Sequence, residues 1–221
     1  MRAYGLPALC VNAMVAIVAL LWLTAAQAGT QPVRILAFGA SIMAGYGLEA
    51  ADSLPVQLEQ ALRAHGVNAT VTNGGVSGDT SAGGLARLDW ALADNPDLVI
   101  VDLGGNDALR AIDPKSTEAN LDAIVTRLQA QKRGVLIAGM LAPPNLGTDY
   151  AAAFNAVFPA VAARHHVPLY PFLLDGVVAD PALSQADGIH PNAAGVKVIV
   201  ERMLPAVLQA IQQLERKASG S

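Results

Sequence analysis

From residue 33 onward, short runs that are apolar along their whole length alternate with longer stretches whose apolar positions recur every three or four residues. The short runs, residues 33–38, 69–73, 98–103, 135–141 and 167–171, are rich in Val, Ile and Leu and are closed by Gly, Asn or Pro, which predicts five strands. The intervening spacing predicts helices over residues 53–64, 80–93, 117–131 and 150–165, and a last one over residues 192–215. Strands apolar on both faces and separated by helices need cover on both sides, so the pattern predicts an α/β fold, a doubly wound three-layer sandwich around a parallel sheet. Ligands of such sheets bind outside the carboxyl ends of the strands, and candidate chemistry is sought there.

Composition narrows the class. The 221 residues are 53% hydrophobic and only 14% charged, which excludes a disordered chain, and no repeat period points to a solenoid. A formal net charge of -4 with scattered Lys and Arg offers no basic stripe, so no nucleic-acid partner is expected.

The apolar excess is greatest at the start, where Arg2 precedes an uncharged stretch over residues 6–26 that ends in Ala26-Gln27-Ala28. Small residues at alternate positions after an apolar run predict a secretory signal over residues 1–28, cleaved before Gly29; a retained anchor is the alternative, which Pro7 and Asn12 within the run disfavour. Removing 28 of the 221 residues leaves a single domain over residues 29–221 with a short flexible C-terminal tail, 13 basic residues against 18 acidic ones, and no cysteine once Cys10 is lost. Its stability would rest on the core, without disulfides. The expected location is the periplasm or the exterior, without stable membrane insertion, and the expected state is a monomer.

The strand ends carry Gly39-Ala40-Ser41, Gly74-Gly75-Val76-Ser77-Gly78-Asp79-Thr80, Gly104-Gly105-Asn106-Asp107, Pro143-Pro144-Asn145 and, later, Asp187-Gly188-Ile189-His190-Pro191. A carboxylate three residues before an imidazole in a glycine-containing turn can hold one ring nitrogen and leave the other free, which fixes the tautomer. Ser41, after the first strand, is then placed to be the nucleophile that His190 activates. Donors for a developing oxyanion would be the Ser41 and Gly78 N–H groups and the Asn106 amide.

These blocks resemble the SGNH hydrolase, or GDSL-type, family. Gly45-Tyr46-Gly47, Ser77-Gly78-Asp79-Thr80-Ser81 with Gly84-Leu85-Ala86-Arg87-Leu88, Leu103-Gly104-Gly105-Asn106-Asp107 with Leu109-Arg110, and Asp187-Gly188-Ile189-His190-Pro191-Asn192 are similar to its TesA-like subgroup of esterases, thioesterases, lysophospholipases and arylesterases. The resemblance implies a flavodoxin-like five-stranded sheet and a serine esterase acting through an acyl-enzyme. Its site would be Ser41, Asp187 and His190, with Ser41, Gly78 and Asn106 as the oxyanion hole, and no metal or organic cofactor. One position departs: the family usually has Asp where this chain has Ala40. Activity is expected to survive, with the nucleophile turn held less firmly or its pH dependence shifted.

Substrate contacts are expected from Leu109, Arg110, Ile112, Leu141, Pro143, Leu146 and Tyr150, a set apolar but for Arg110 and suited to short-to-medium acyl esters, aryl esters, acyl thioesters or lysophospholipids. A loop over residues 104–112 hinged at Gly104-Gly105 would be able to gate the site. A carbohydrate O-deacetylase on the same fold and a catalytically impaired lipid- or carbohydrate-binding module are the alternatives. Taken singly, the residues have plainer readings. Ser41 would be a helix N-cap, Asn106 and Asp107 a cap or turn, and Asp79 a structural residue, while Gly78 would supply a positive φ. His65 and the His165-His166 pair read as surface groups at helix ends, and Trp90 as packed between helix and sheet.

Overall fold

The computed structural model describes residues 31–219; the expected signal segment, residues 1–28, lies outside them. Five strands, β1 (Val33–Gly39), β2 (Ala69–Gly75), β3 (Leu98–Asp102), β4 (Gly134–Ala138) and β5 (Leu169–Tyr170), form one sheet in the order β2-β1-β3-β4-β5. Every pairing is parallel, with Gly39 opposite Gly75 on one side and Asp102 on the other. Among the described residues, seven α-helices surround it: α1 (Ser41–Ala44), α2 (Leu54–Ala64), α3 (Ser81–Ala91), α4 (Gly105–Leu109), α5 (Pro114–Ala130), α6 (Thr148–His165) and α7 (Ala193–Ser219).

The alternation of side chains along each strand divides the core in two. Ile35, Ala37, Leu98, Ile100 and Leu136 join Leu54, Leu58 and Leu62 of α2 and Val196, Ile199, Met203 and Val207 of α7 on one face. Leu36, Phe38, Val99, Val101 and Ile137 join Leu88 of α3, Leu121, Ile124 and Leu128 of α5 and Phe154, Phe158 and Val161 of α6 on the other. β3 is buried at all five positions, as the middle strand of a sheet covered on both sides must be. The three-layer α/β/α sandwich is therefore observed.

Differences are local and have physical reasons. β4 stops at Ala138, because Gly139 turns its N–H and carbonyl to Tyr170 and Leu173 and the chain leaves the sheet toward Pro143 and Pro144, leaving Leu141 exposed. The helices α1 and α4 span four and five residues, too short for a hydrophobic period to register. Trp90 does not pack between helix and sheet. It is 75% exposed, because α3 buries Ser81, Gly84 and Leu88, a spacing that turns residue 90 outward. His165 is no free surface group: Nε2 meets Asp122 Oδ1 at 2.8 Å, and its carbonyl accepts from Gln129, joining α6 to α5.

Because β1 lies between β2 and β3, the chain leaves β1 in one direction for β2 and crosses back to β3. That switch point opens a crevice at the carboxyl ends of β1 and β3.

Candidate active site

β1 delivers Ser41 to the crevice. Gly39 is confined between Asp102 and Met43, where a Cβ would collide with both, so the chain can turn from strand to helix only over a residue without a side chain. Ala40 occupies the N-cap of α1 and its methyl group bonds nothing. Ser41 is the first helical residue, so the N-cap reading does not apply to it: its Oγ lies 2.8 Å from His190 Nε2. Helix first-turn N–H groups have no intrahelical acceptor, which leaves the Ser41 N–H to an outside partner.

The loop before α7 delivers the other two groups. An antiparallel bridge between Ser184 and Pro191 closes it, with Gln185 N–H donating to the His190 carbonyl at 2.8 Å. Gly188 turns the loop at φ +67°, and Asn192 caps α7 by accepting from Gly195 N–H. Asp187 Oδ2 lies 2.6 Å from His190 Nδ1, while Oδ1 accepts the Ile189 and His190 N–H groups at 2.9 and 3.0 Å. These bonds, led by the His190 N–H and the His190 ring, lower the Asp187 pKa from 3.8 to about 2. A carboxylate can only accept, so Nδ1 carries the proton; in the neutral ring Nε2 is then the acceptor and Ser41 Oγ the donor. Ser41, His190 and Asp187 thus form one continuous hydrogen-bonded chain.

Beside it lies the β2–α3 loop. Gly78 has φ +84°, which explains the glycine. Asn106 Nδ2 donates to the Asp79 carbonyl at 2.8 Å, and Arg110 Nη2 to the Gly78 carbonyl at 2.9 Å, so α4 grips this loop at two adjacent residues. The amide of Asn106 keeps a second hydrogen. Asp107 turns away from the crevice into the core, where it accepts from Ser81 N–H (2.8 Å), Ser81 Oγ (2.5 Å) and Thr117 Oγ1 (3.1 Å).

Among the expected substrate contacts, Leu109 and Leu141 are exposed, and Arg110 is exposed and bonded to Gly78. Ile112 is half-buried; its carbonyl accepts the Tyr150 hydroxyl at 2.8 Å. Tyr150 stacks on Phe154 with centroids 6.0 Å apart. Pro143 precedes and Leu146 ends a single 3-10 turn, and both are half-buried. Residues 104–112, expected as a hinged gate, hold the helix α4 and are tied down by Asp107 at one end and Tyr150 at the other.

Three residues of the site had no role assigned from sequence. The Tyr46 ring lies 4.6 Å from the His190 ring. Gln185 Nε2 donates to the carbonyls of Tyr46 (2.7 Å) and Pro191 (3.0 Å), tying the histidine loop to the chain after α1. Arg87 reaches both Asp79 and the carbonyl of Gly39. The motif blocks contain Tyr46 and Arg87, but the partners Gly39, Gln185 and His190 are distant from them in sequence. Among the described residues, no cluster of three or more His, Cys, Asp or Glu side chains could hold a metal ion, and no helix is long and apolar enough to cross a membrane.

The model of the GDSL-like Lipase/Acylhydrolase family matches residues 37–198. The chain is 41% identical over 182 residues to Esterase TesA of Pseudomonas aeruginosa, covering 82% of this chain and 90% of that protein. It is 38% identical over 170 residues to Thioesterase 1/protease 1/lysophospholipase L1 of Escherichia coli K12, covering 76% and 80%. The crystal structure of AlinE4, an SGNH-hydrolase family esterase, superposes with a TM-score of 0.70 at 46% identity, covering 82% of this chain and 97% of that one. With its sheet, its motif blocks and these relatives in agreement, the chain belongs to the GDSL-like, or SGNH, hydrolase family, in its TesA-like subgroup, and is a serine esterase of the carboxylic ester hydrolase class.

Proposed function

We propose that Ser41, His190 and Asp187 carry the ester hydrolysis, and that the Ser41 and Gly78 N–H groups with Asn106 Nδ2 form the oxyanion hole. The observation that carries this reading is the unbroken chain from Ser41 Oγ through His190 to Asp187. Ser41 Oγ attacks the acyl carbonyl while its proton passes to His190 Nε2, and the carbonyl oxygen becomes an oxyanion held by the three donors. The protonated ring returns that proton to the departing alkoxide or thiolate, which leaves an acyl ester on Ser41. Water then gives its proton to Nε2, attacks the acyl-enzyme and releases the carboxylic acid, and Ser41 regains its proton. Asp187, ionised across the working range, orients the ring and balances its charge when protonated.

The substrates are aryl esters and short-to-medium acyl esters, with acyl thioesters and lysophospholipids as further members. The exposed apolar residues Leu109 and Leu141, and the names of the relatives, support this set. The apolar run ahead of Gly29 supports export to the periplasm or the exterior, with cleavage leaving residues 29–221. Hydrolysis of p-nitrophenyl esters from acetate to palmitate, with Ser41→Ala and His190→Ala as controls, tests the reading. Turnover by the wild type with a fall of about 10³-fold or more in each variant is expected. Full activity of Ser41→Ala would contradict it.

A further inference from the structure

The oxyanion donors sit on three different segments, after β1, β2 and β3, and a rigid hole needs something that fixes the distances between them. Ala40 cannot do this from the nucleophile turn, since its side chain makes no hydrogen bond. The turn is anchored one residue earlier. The Gly39 carbonyl accepts the Val76 N–H at 3.0 Å and Arg87 Nη2 at 2.9 Å, which occupies both of its lone pairs.

The same guanidinium gives Nε to Asp79 Oδ2 at 2.5 Å and lies over the Phe38 ring with its central carbon 4.4 Å from the centroid. The ion pair is largely enclosed, with Arg87 and Asp79 side chains 16% and 18% exposed, so it is screened far less than a surface pair. Asp79 is held by its backbone as well as by this ion pair. Its N–H donates to the Val76 carbonyl at 3.1 Å, its own carbonyl accepts Asn106 Nδ2, and it directly follows Gly78. One cation therefore connects the segment ahead of Ser41, the loop that carries Gly78 and, through Asp79, the amide of Asn106.

We infer that Arg87, acting with Asp79, is a positioning residue that holds the nucleophile turn and the oxyanion donors in register, and that in this chain it supplies the anchoring Ala40 cannot. The inference rests on the site assignment proposed above. Arg87 touches neither substrate nor the reacting atoms. Its replacement leaves Ser41, His190 and Asp187 bonded to one another but lets the two sides of the hole drift apart. Transition-state stabilisation falls, and ground-state binding is spared.

The test uses the protein expressed from its full chain and carrying Arg87→Lys, Arg87→Met, Arg87→Ala or Asp79→Asn, with p-nitrophenyl butyrate as substrate. Reactive sites are counted by stoichiometric phosphonylation, so that kcat is expressed per competent serine. The expected result is a fall in kcat of about 10²-fold with KM changed less than about threefold. Asn106→Ala combined with Arg87→Met should cost little more than Asn106→Ala alone, since both act on one hole. Added guanidinium ion should restore part of the kcat of Arg87→Ala. Wild-type kcat per titrated site in the variants, or a fully additive double variant, would overturn the inference. Where Arg87→Met does not fold, the nearly isosteric Asp79→Asn gives the same two readings. Turnover that survives in Ser41→Ala would instead overturn the site assignment, so the two failures are distinct.

Discussion

At the scale of single residues, two carboxyl groups, one in the loop before α7 and one at the end of β3, are pushed in opposite directions. Asp187 is held near pKa 2 by backbone and imidazole N–H groups. Asp102, the last residue of β3, is 3% exposed, its Oδ2 has no partner among the described residues, and burial pushes its pKa up to about 7. Linkage gives the signs. Asp187 contributes stability that is present above its unfolded pKa of about 4 and is lost as pH falls through 2. Asp102 keeps its proton in the fold after the unfolded chain has released it, so stability declines as pH rises from about 4 to about 7 and then levels off. Urea unfolding from pH 2 to pH 8 should show Asp102→Asn flattening the decline between pH 4 and 7. The wild-type advantage over Asp187→Asn should be constant above about pH 4 and shrink below it. A wild-type profile with no slope between pH 4 and 7 would show that Asp102 is not protonated in the fold.

At the scale of elements, the crevice is assembled by short pieces tied to long ones. α4 carries Asn106, with Arg110 directly after its last residue, into the site, and Asp107 fastens it to the first residue of α3 and to Thr117 of α5. Asn120 of α5 completes the knot by donating to Ser81 Oγ at 2.9 Å. Asp107→Ala leaves the Ser81 N–H buried without an acceptor and is expected to cost about 3 kcal/mol in denaturant unfolding. It should also free residues 105–109, whose amides in the wild type should exchange nearly as slowly as those of β3. Fast exchange there in the wild type would restore the hinged gate expected from Gly104-Gly105.

The long elements were legible because periodicity carries them. Fully apolar strands between amphipathic helices permit little besides a covered parallel sheet. α1 and α4 were not legible, since one turn of helix has no period and is held by contacts from elsewhere. The end of β4 was missed because the apolar run continues through Met140 and Leu141 after the ladder has ended. Within the site, Asp187 and His190 were legible because they stand only three positions apart. The contacts of Arg87 with Gly39 and of Gln185 with Tyr46 span 48 and 139 residues, so only the fold brings them together. Trp90 was misplaced because its bulk suggested burial while its position on α3 decided exposure.

At the scale of the molecule, these contacts bring Ser41 at the end of β1 and His190 from a loop after β5 together beside the ends of β2 and β3, where the proposed donors stand above the sheet's switch point. The reactivity proposed for Ser41 is therefore a property of the whole fold. It should vanish when the fold or the histidine is lost and should be shared by no other serine. The most direct measurement is reaction of residues 29–221 with a fluorophosphonate ester, followed by intact mass and peptide mapping. One adduct per chain on Ser41, formed in step with loss of esterase activity and greatly slowed in His190→Ala and in urea, is the predicted result. An adduct on another residue, or full activity after Ser41 has been modified, would contradict it.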